Sequence, residues 1–172
     1  MPNHVPMNRL NNLLLALGAI SFITVIGGAV YEHLTFVPQW AAAPPSSLAL
    51  LQGPYGMRPE RFWIPIHPVT LLLMIAALMA NWRTVRRSAM SMALGGYVLI
   101  LIITAIYFVP ELLSITGTPY ADTVDADLQK RAARWETLSI VRLVFLVSLA
   151  LSWLSALAQP AERRSVALTA RG

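Results

Sequence analysis

The chain has 172 residues, 56% of them hydrophobic and only 12% charged, with a mean hydropathy of +0.60. Soluble domains carry about 25% charged residues, so this composition points to a bilayer and leaves no room for a separate soluble domain. The absence of cysteine excludes disulfides and thiolate-ligated metals, and the basic residues flank apolar runs rather than building a soluble basic surface, so nucleic acid is not an expected partner.

The first uncharged stretch fills the 22 positions between Arg9 and Glu32. Roughly 20 apolar residues cross the hydrocarbon of a bilayer as a helix, so a first membrane helix is expected over 11–32. Its apolar part, Leu13 to Tyr31, is longer than the roughly 7 to 15 residues of a signal-peptide core, and it is expected to remain as a span. The stretch leaves the apolar run at "YEHLTFVPQW", which places Tyr31, Glu32 and His33 at the border and Trp40 just beyond. A loop over 33–61 follows, broken by Pro44-Pro45 and Gly53-Pro54, with "SSLALLQ" able to form a short helix.

A second span is expected over 62–82, within the 21 uncharged positions between Arg61 and Arg83. His67 stands between Pro65 and Pro68 in its first turns. Irregular backbone at membrane depth is tolerated where it is buried in protein or lines a cavity. A histidine there can carry a proton, ligate a metal or bind a substrate, or be an ordinary interfacial histidine. The third span, over 89–110, occupies 23 uncharged positions between Arg87 and Glu111, and Pro110 is expected to stop it. Tyr97, Thr104 and Glu111 recur every seven residues, with Tyr107 four before Glu111. Tyr97 lies too near the other end to join that group and is expected to be packing.

The loop over 111–136 turns at Gly117-Thr118-Pro119. From about Asp122 the pattern is helical again, acids first and bases later, in keeping with a helix dipole, and a helix is expected from about Asp125. This helix is expected to reach Leu157, on the order of 50 Å, with its membrane part over 137–158 and a tail over 159–172. On it Trp135, Ser139, Arg142, Leu146, Leu149 and Trp153 fall on one face at steps of three or four. Trp40, Trp63 and Trp82, near run ends, fit an interfacial belt. No internal repeat is countable.

The expected fold is thus an all-α bundle of four transmembrane helices in one membrane domain. Arg9, Arg83, Arg86, Arg87, Arg163, Arg164 and Arg171 gather on one side with the single acid Glu162, whereas seven acids accompany the other six basic residues. Basic residues accumulate on the cytoplasmic side, so both termini are expected there, the two longer loops outside, and the chain in a bacterial inner (cell) membrane. A charge inside a span faces the bundle and has a partner; Glu32 and Glu111 are the candidates for Arg142. Arg142 could also simply hold helices together or reach the interface. With this topology Tyr31, Glu32, His33, His67, Tyr107, Glu111, Trp135, Ser139 and Arg142 reach one depth, forming a pocket lidded by the first loop.

At "NLLLALGAISFITVIGGAVYEHLTFVPQW", "RFWIPIHPVTLLLMIAALMANWR" and "RWETLSIVRL" the chain resembles the four-helix membrane proteins grouped with anthrone oxygenases, the DUF1772-like family. The shared pattern is an acid ending helix 1, a nearby Pro-x-Trp (Pro38-Gln39-Trp40), and Trp-x-x-x-Asn-x-x-Arg in helix 4. The latter is Trp135 to Arg142 here, with Ser139 in place of the asparagine. The resemblance implies an oxygenase acting on an apolar aromatic or quinone-like molecule without a metal or flavin, and no cofactor is expected. In that reading Glu32 or His67 is the general base and Arg142 stabilises the resulting oxyanion. Tyr107 and Trp135 hold the ring, and Tyr31, His33, Trp40, Glu111 and Ser139 line the site. Two alternatives stay open: a metal or haem protein using His33 and His67 with Glu32 or Glu111, and a non-enzymatic subunit or small transporter. The expected partners are the lipid bilayer and an apolar small molecule, with assembly into a homo-oligomer left open.

Overall fold

The computed structural model describes residues 5–159, with side chains from residue 9 onward. His4, Glu162, Arg163, Arg164 and Arg171, which entered the orientation argument or the histidine count, lie outside the described residues. Among the described residues every regular element is helical: α1 (Val5–Tyr31), a π-helical turn (Glu32–Phe36), α2 (Val37–Ala41), a 3-10 turn (Ser46–Leu51), α3 (Glu60–Ala80), α4 (Arg87–Ile103), a second π-helical turn (Thr104–Phe108), α5 (Val109–Thr116) and α6 (Ala126–Ala158). These join into four stretches long and apolar enough to cross a membrane: Arg9–Ala41, Glu60–Ala80, Arg87–Thr116 and Ala126–Ala158.

α1 packs on α3 and α6, and α4 packs on α6 and α3, so the four long helices close a ring with α1 and α4 on the diagonal. Ile20, Leu72, Leu99 and Leu151 are exposed on its outside. Helices apolar on both faces fit a bundle solvated by lipid tails rather than by water.

Two apolar clusters fill the ring. The first holds Leu15, Phe22 and Val25 of α1, Met74 of α3, Met90 and Tyr97 of α4, and Leu146 and Trp153 of α6. The second holds Phe36, Val37, Trp40, Leu48, Phe108, Ile115, Leu128 and Trp135. On α1, on α4 and α5, and on α6 the chain passes from one cluster to the other through a polar residue, respectively Glu32, Thr104 and the Ser139–Arg142 turn. α3 brings Trp63 and His67 to the same level. A polar layer therefore separates the two clusters.

Both π-helical turns lie in this layer, and each has the same cause. Pro38 and Pro110 lack an N–H and their rings displace the carbonyl four residues back, those of Leu34 and Ile106. The backbone widens by one residue, and Val37 and Val109 donate to the carbonyls of Glu32 and Thr104. Pro110 does not stop the third span, as the sequence led us to expect. The helix bends through it and continues to Thr116, because backbone polar groups in lipid must be paired within the protein. α3 likewise runs unbroken through Pro65 and Pro68.

At the end carrying the two long connections, Asp125 caps α6, its carboxylate accepting from the N–H groups of Asp127 and Leu128 (2.9 and 3.0 Å). Gln52 Nε2 donates to the Thr118 carbonyl (2.8 Å) and Gln129 Nε2 to that of Ala42 (2.6 Å), which ties one connection to the other. At the opposite end Arg86, 5% exposed, donates through Nε and Nη2 to the Gln159 carbonyl (2.9 and 2.7 Å) and through Nη1 to Asn12 Oδ1. Burial lowers its pKa from the ordinary arginine value, but a guanidinium stays charged in proteins.

The structure also corrects the expectation that no repeat exists. The most extensive helix contacts are α1 with α3 and α4 with α6, so the ring is two helical hairpins running in the same direction. Residues 72 apart correspond: Phe36-Val37-Pro38 with Phe108-Val109-Pro110, and Trp63 with Trp135, each tryptophan 25 residues after its proline.

Candidate functional site: the polar layer

Glu32 opens the first π-helical turn, and its Oε1 accepts the indole N–H of Trp63 at 2.7 Å. Trp63 and His67 are four residues apart on α3, which puts them on one face. Their rings stack with centroids 5.4 Å apart and planes 21° from parallel. His67 Nδ1 is hydrogen-bonded to the Tyr97 hydroxyl at 2.8 Å. The Tyr97 ring packs on Phe22 with centroids 4.9 Å apart. Deeper in the first cluster the buried hydroxyls of Ser21 and Thr70 pair at 2.7 Å.

Arg142 enters the layer from α6. Its Nη1 donates to Thr104 Oγ1 (3.1 Å) and its Nη2 to Ser139 Oγ (2.8 Å), and the guanidinium carbon sits 4.1 Å from the Phe108 ring centroid. Thr104 is placed there by the second π-helical turn. The Arg142 charge reaches both Glu32 and His67. Yet among the described residues no carboxylate oxygen lies within 4.0 Å of it. The cation is held by two hydroxyls and an aromatic face and, among the described residues, has no contact partner of opposite charge.

The other residues marked from sequence divide. Trp135 and Ser139 are buried as the helical spacing predicts. Trp135 Nε1 donates to the Phe108 carbonyl at 2.9 Å, in parallel with what Trp63 does for Glu32 in the first hairpin. Glu111 is not the partner of Arg142. It forms a two-pronged ion pair with Arg131 (2.8 and 2.9 Å), because α5 carries it past Pro110 and alongside α6. Arg131 beside it holds the Glu111 pair at the surface of the bundle, outside the polar layer. Trp40 does not face outward as a belt residue would: at 1% exposure it packs edge-on against Trp135, centroids 5.5 Å apart, since α2 continues the first span and turns it inward. Tyr97 is more than packing, because its hydroxyl reaches the layer from one turn below. His33 Nδ1 donates to the Ala29 carbonyl (2.8 Å) and its Nε2 is buried with no partner among the described residues. Among those residues His33, His67, Glu32 and Glu111 do not assemble into a group of three that could hold a metal.

Two grooves reach the layer. The larger, about 580 Å³, runs between α1, the first π-helical turn and the start of α3, and includes Gly27, Gly28, Glu32, Phe36, Arg58 and Phe62. The smaller, about 240 Å³, lies between α4 and α6 and includes Ile100, Ile103, Tyr107, Phe108 and Arg142. Sequence reasoning missed Trp63 as a site residue, and did so although the i, i+4 spacing to His67 was there to read.

No protein-family model matches this chain, and no curated protein and no solved structure is significantly similar to it.

Proposed function

We propose that the chain is a membrane-embedded oxygenase of the anthrone-oxygenase type, acting on an apolar aromatic or quinone-like molecule drawn from the bilayer. One observation carries this reading. A carboxylate, an imidazole and a guanidinium without a contact carboxylate share one layer between two apolar clusters. Ionisable groups at membrane depth are costly and mark function by default.

In this reading Glu32, or His67 beside it, removes a proton from the CH2 group of an anthrone. The charge that develops on the ring oxygen is stabilised by the positive field of Arg142, which has no carboxylate in contact among the described residues. Dioxygen is the oxidant. One of its atoms becomes the new ring carbonyl, and the other leaves as water with the two hydrogens of the CH2 group. Trp63 fixes one oxygen of Glu32 and leaves the other for the proton. The charge asymmetry of the sequence supports a placement with both termini in the cytoplasm and the two long connections outside, in a bacterial inner membrane.

The test is turnover. Protein purified in mild detergent is mixed with an anthrone under air, and oxygen uptake and anthraquinone absorbance are followed together. The expected result is one oxygen consumed per quinone formed. Arg142→Gln should slow the reaction about 100-fold or more while the protein still inserts and purifies. Oxidation no faster than the spontaneous rate with the wild-type protein would overturn the proposal.

A further inference from the structure

The repeat makes the two grooves counterparts. In the first groove Gly28, Tyr31 and Phe36 line the wall; the residues 72 positions on, Ile100, Ile103 and Phe108, line the second. The first helix of each hairpin thus presents equivalent positions to a groove, while the partner helices contribute different ones, Phe62 in the first and Val141 and Arg142 in the second. The hairpins differ in what fills the groove. The pair Gly27-Gly28 stands where the second hairpin has Leu99-Ile100, and the volumes follow, about 580 Å³ against about 240 Å³.

The two glycines do different jobs. A β-carbon on Gly28 would lie 2.5 Å from the Phe62 ring, so the bare backbone there lets Phe62 lie across α1. A β-carbon on Gly27 would meet nothing within 4 Å, so this glycine is not required by packing and its missing side chain is open groove. At the polar end, Glu32 Oε1 is committed to Trp63, and Oε2 has no hydrogen-bond partner among the described residues. At the connection end stands Arg58, exposed, with only a long contact to the Gly53 carbonyl (3.4 Å). Between them the walls are Tyr31, Phe36 and Phe62, and the volume is that of an ordinary small-molecule site.

We infer that the groove over Gly27 is the lateral binding site and portal by which a bilayer-dissolved aromatic ligand reaches the polar layer. Its body lies against the Phe36 and Phe62 rings, with its reacting edge toward Glu32 Oε2. The second groove, less than half the volume, is the narrower of the two. This rests on the reading that the polar layer handles an apolar ligand, and names the path and the face used.

The experiment uses the full chain in lipid nanodiscs and 1,8-dihydroxyanthraquinone as the probe, with binding read from quenching of tryptophan fluorescence. Saturable binding to the wild type is expected, and its absence overturns the inference. Gly27→Leu, which installs the residue the second hairpin carries, should weaken binding about tenfold or more by filling the groove. Gly27→Ala should weaken it less. Val141→Phe, which fills the second groove, should leave it unchanged. Wild-type affinity in Gly27→Leu, or loss of binding in Val141→Phe, overturns the assignment. Helicity and elution volume confirm that each variant is folded. If binding follows the groove as expected but no anthrone is oxidised, the portal stands and the oxygenase reading fails.

Discussion

Arg142 shows how much of a charge's cost a few neighbours can offset. Two hydroxyls and the face of Phe108 satisfy part of the guanidinium, and the Glu32 charge acts on it from beyond contact distance. A salt bridge would neutralise it; here the field remains free for a ligand anion. The neighbouring contact between His67 and Tyr97 is a cleaner place to separate structure from chemistry. Tyr97→Phe keeps the ring on Phe22 and removes only the hydroxyl, leaving His67 Nδ1 unpaired. We expect a loss of about 1 kcal/mol in unfolding free energy, measured by chemical denaturation in detergent. If His67 is the base, the oxygenase rate should fall further than that loss of stability explains, with a shifted pH profile. If Glu32 is the base, the profile should keep its shape.

At the scale of elements, the sequence was most legible where the signal is local. Uncharged runs located four spans because hydropathy adds residue by residue. The inward face of α6 followed from helical spacing, and its start near Asp125 from the order of its charges. Two failures have different causes. Reading Pro110 as a helix stop detached Glu111 from α6 and hid its pairing with Arg131. Ending the first span at the charge of Glu32 put Trp40 in a loop and hid its burial. In water a broken helix end is solvated, so proline often ends a helix. In lipid the helix continues past the proline, and the π-helical turn keeps the preceding N–H groups paired, Val37 to Glu32 and Val109 to Thr104. This gives the two turns a testable role. Pro110→Ala removes the clash with the Ile106 carbonyl and allows ordinary helix to re-form, which would rotate Thr104 relative to α6. The variant should be as stable as the wild type or more so by thermal unfolding, yet slower in anthrone oxidation, because Arg142 loses a hydroxyl partner. Unchanged activity would mean that the turn serves only to accommodate the proline.

For the whole molecule, the organising fact is the pair of hairpins, which the sequence carries only as Phe-Val-Pro and a tryptophan 25 residues on. Those four residues carry the backbone device and the indole donor, while the lipid-facing positions differ among apolar residues. The hairpins also differ in their polar groups, one holding the acid and the larger groove, the other the cation. Their union depends on few polar contacts, and Arg86 is the most connected of them. It stands in the link between the hairpins and holds Asn12, near the start of the first, together with Gln159, at the end of the second. It is buried, so Arg86→Ala leaves two acceptors without their donor and opens a gap at that end of the ring. We expect about 2–3 kcal/mol of destabilisation. Hydrogen exchange should quicken around Asn12 and the last turn of α6, while Gln52, Gln129 and Asp125 keep the connection end closed. Exchange that quickened equally at both ends would show instead that the hairpins do not separate as units and that the ring unfolds in one step.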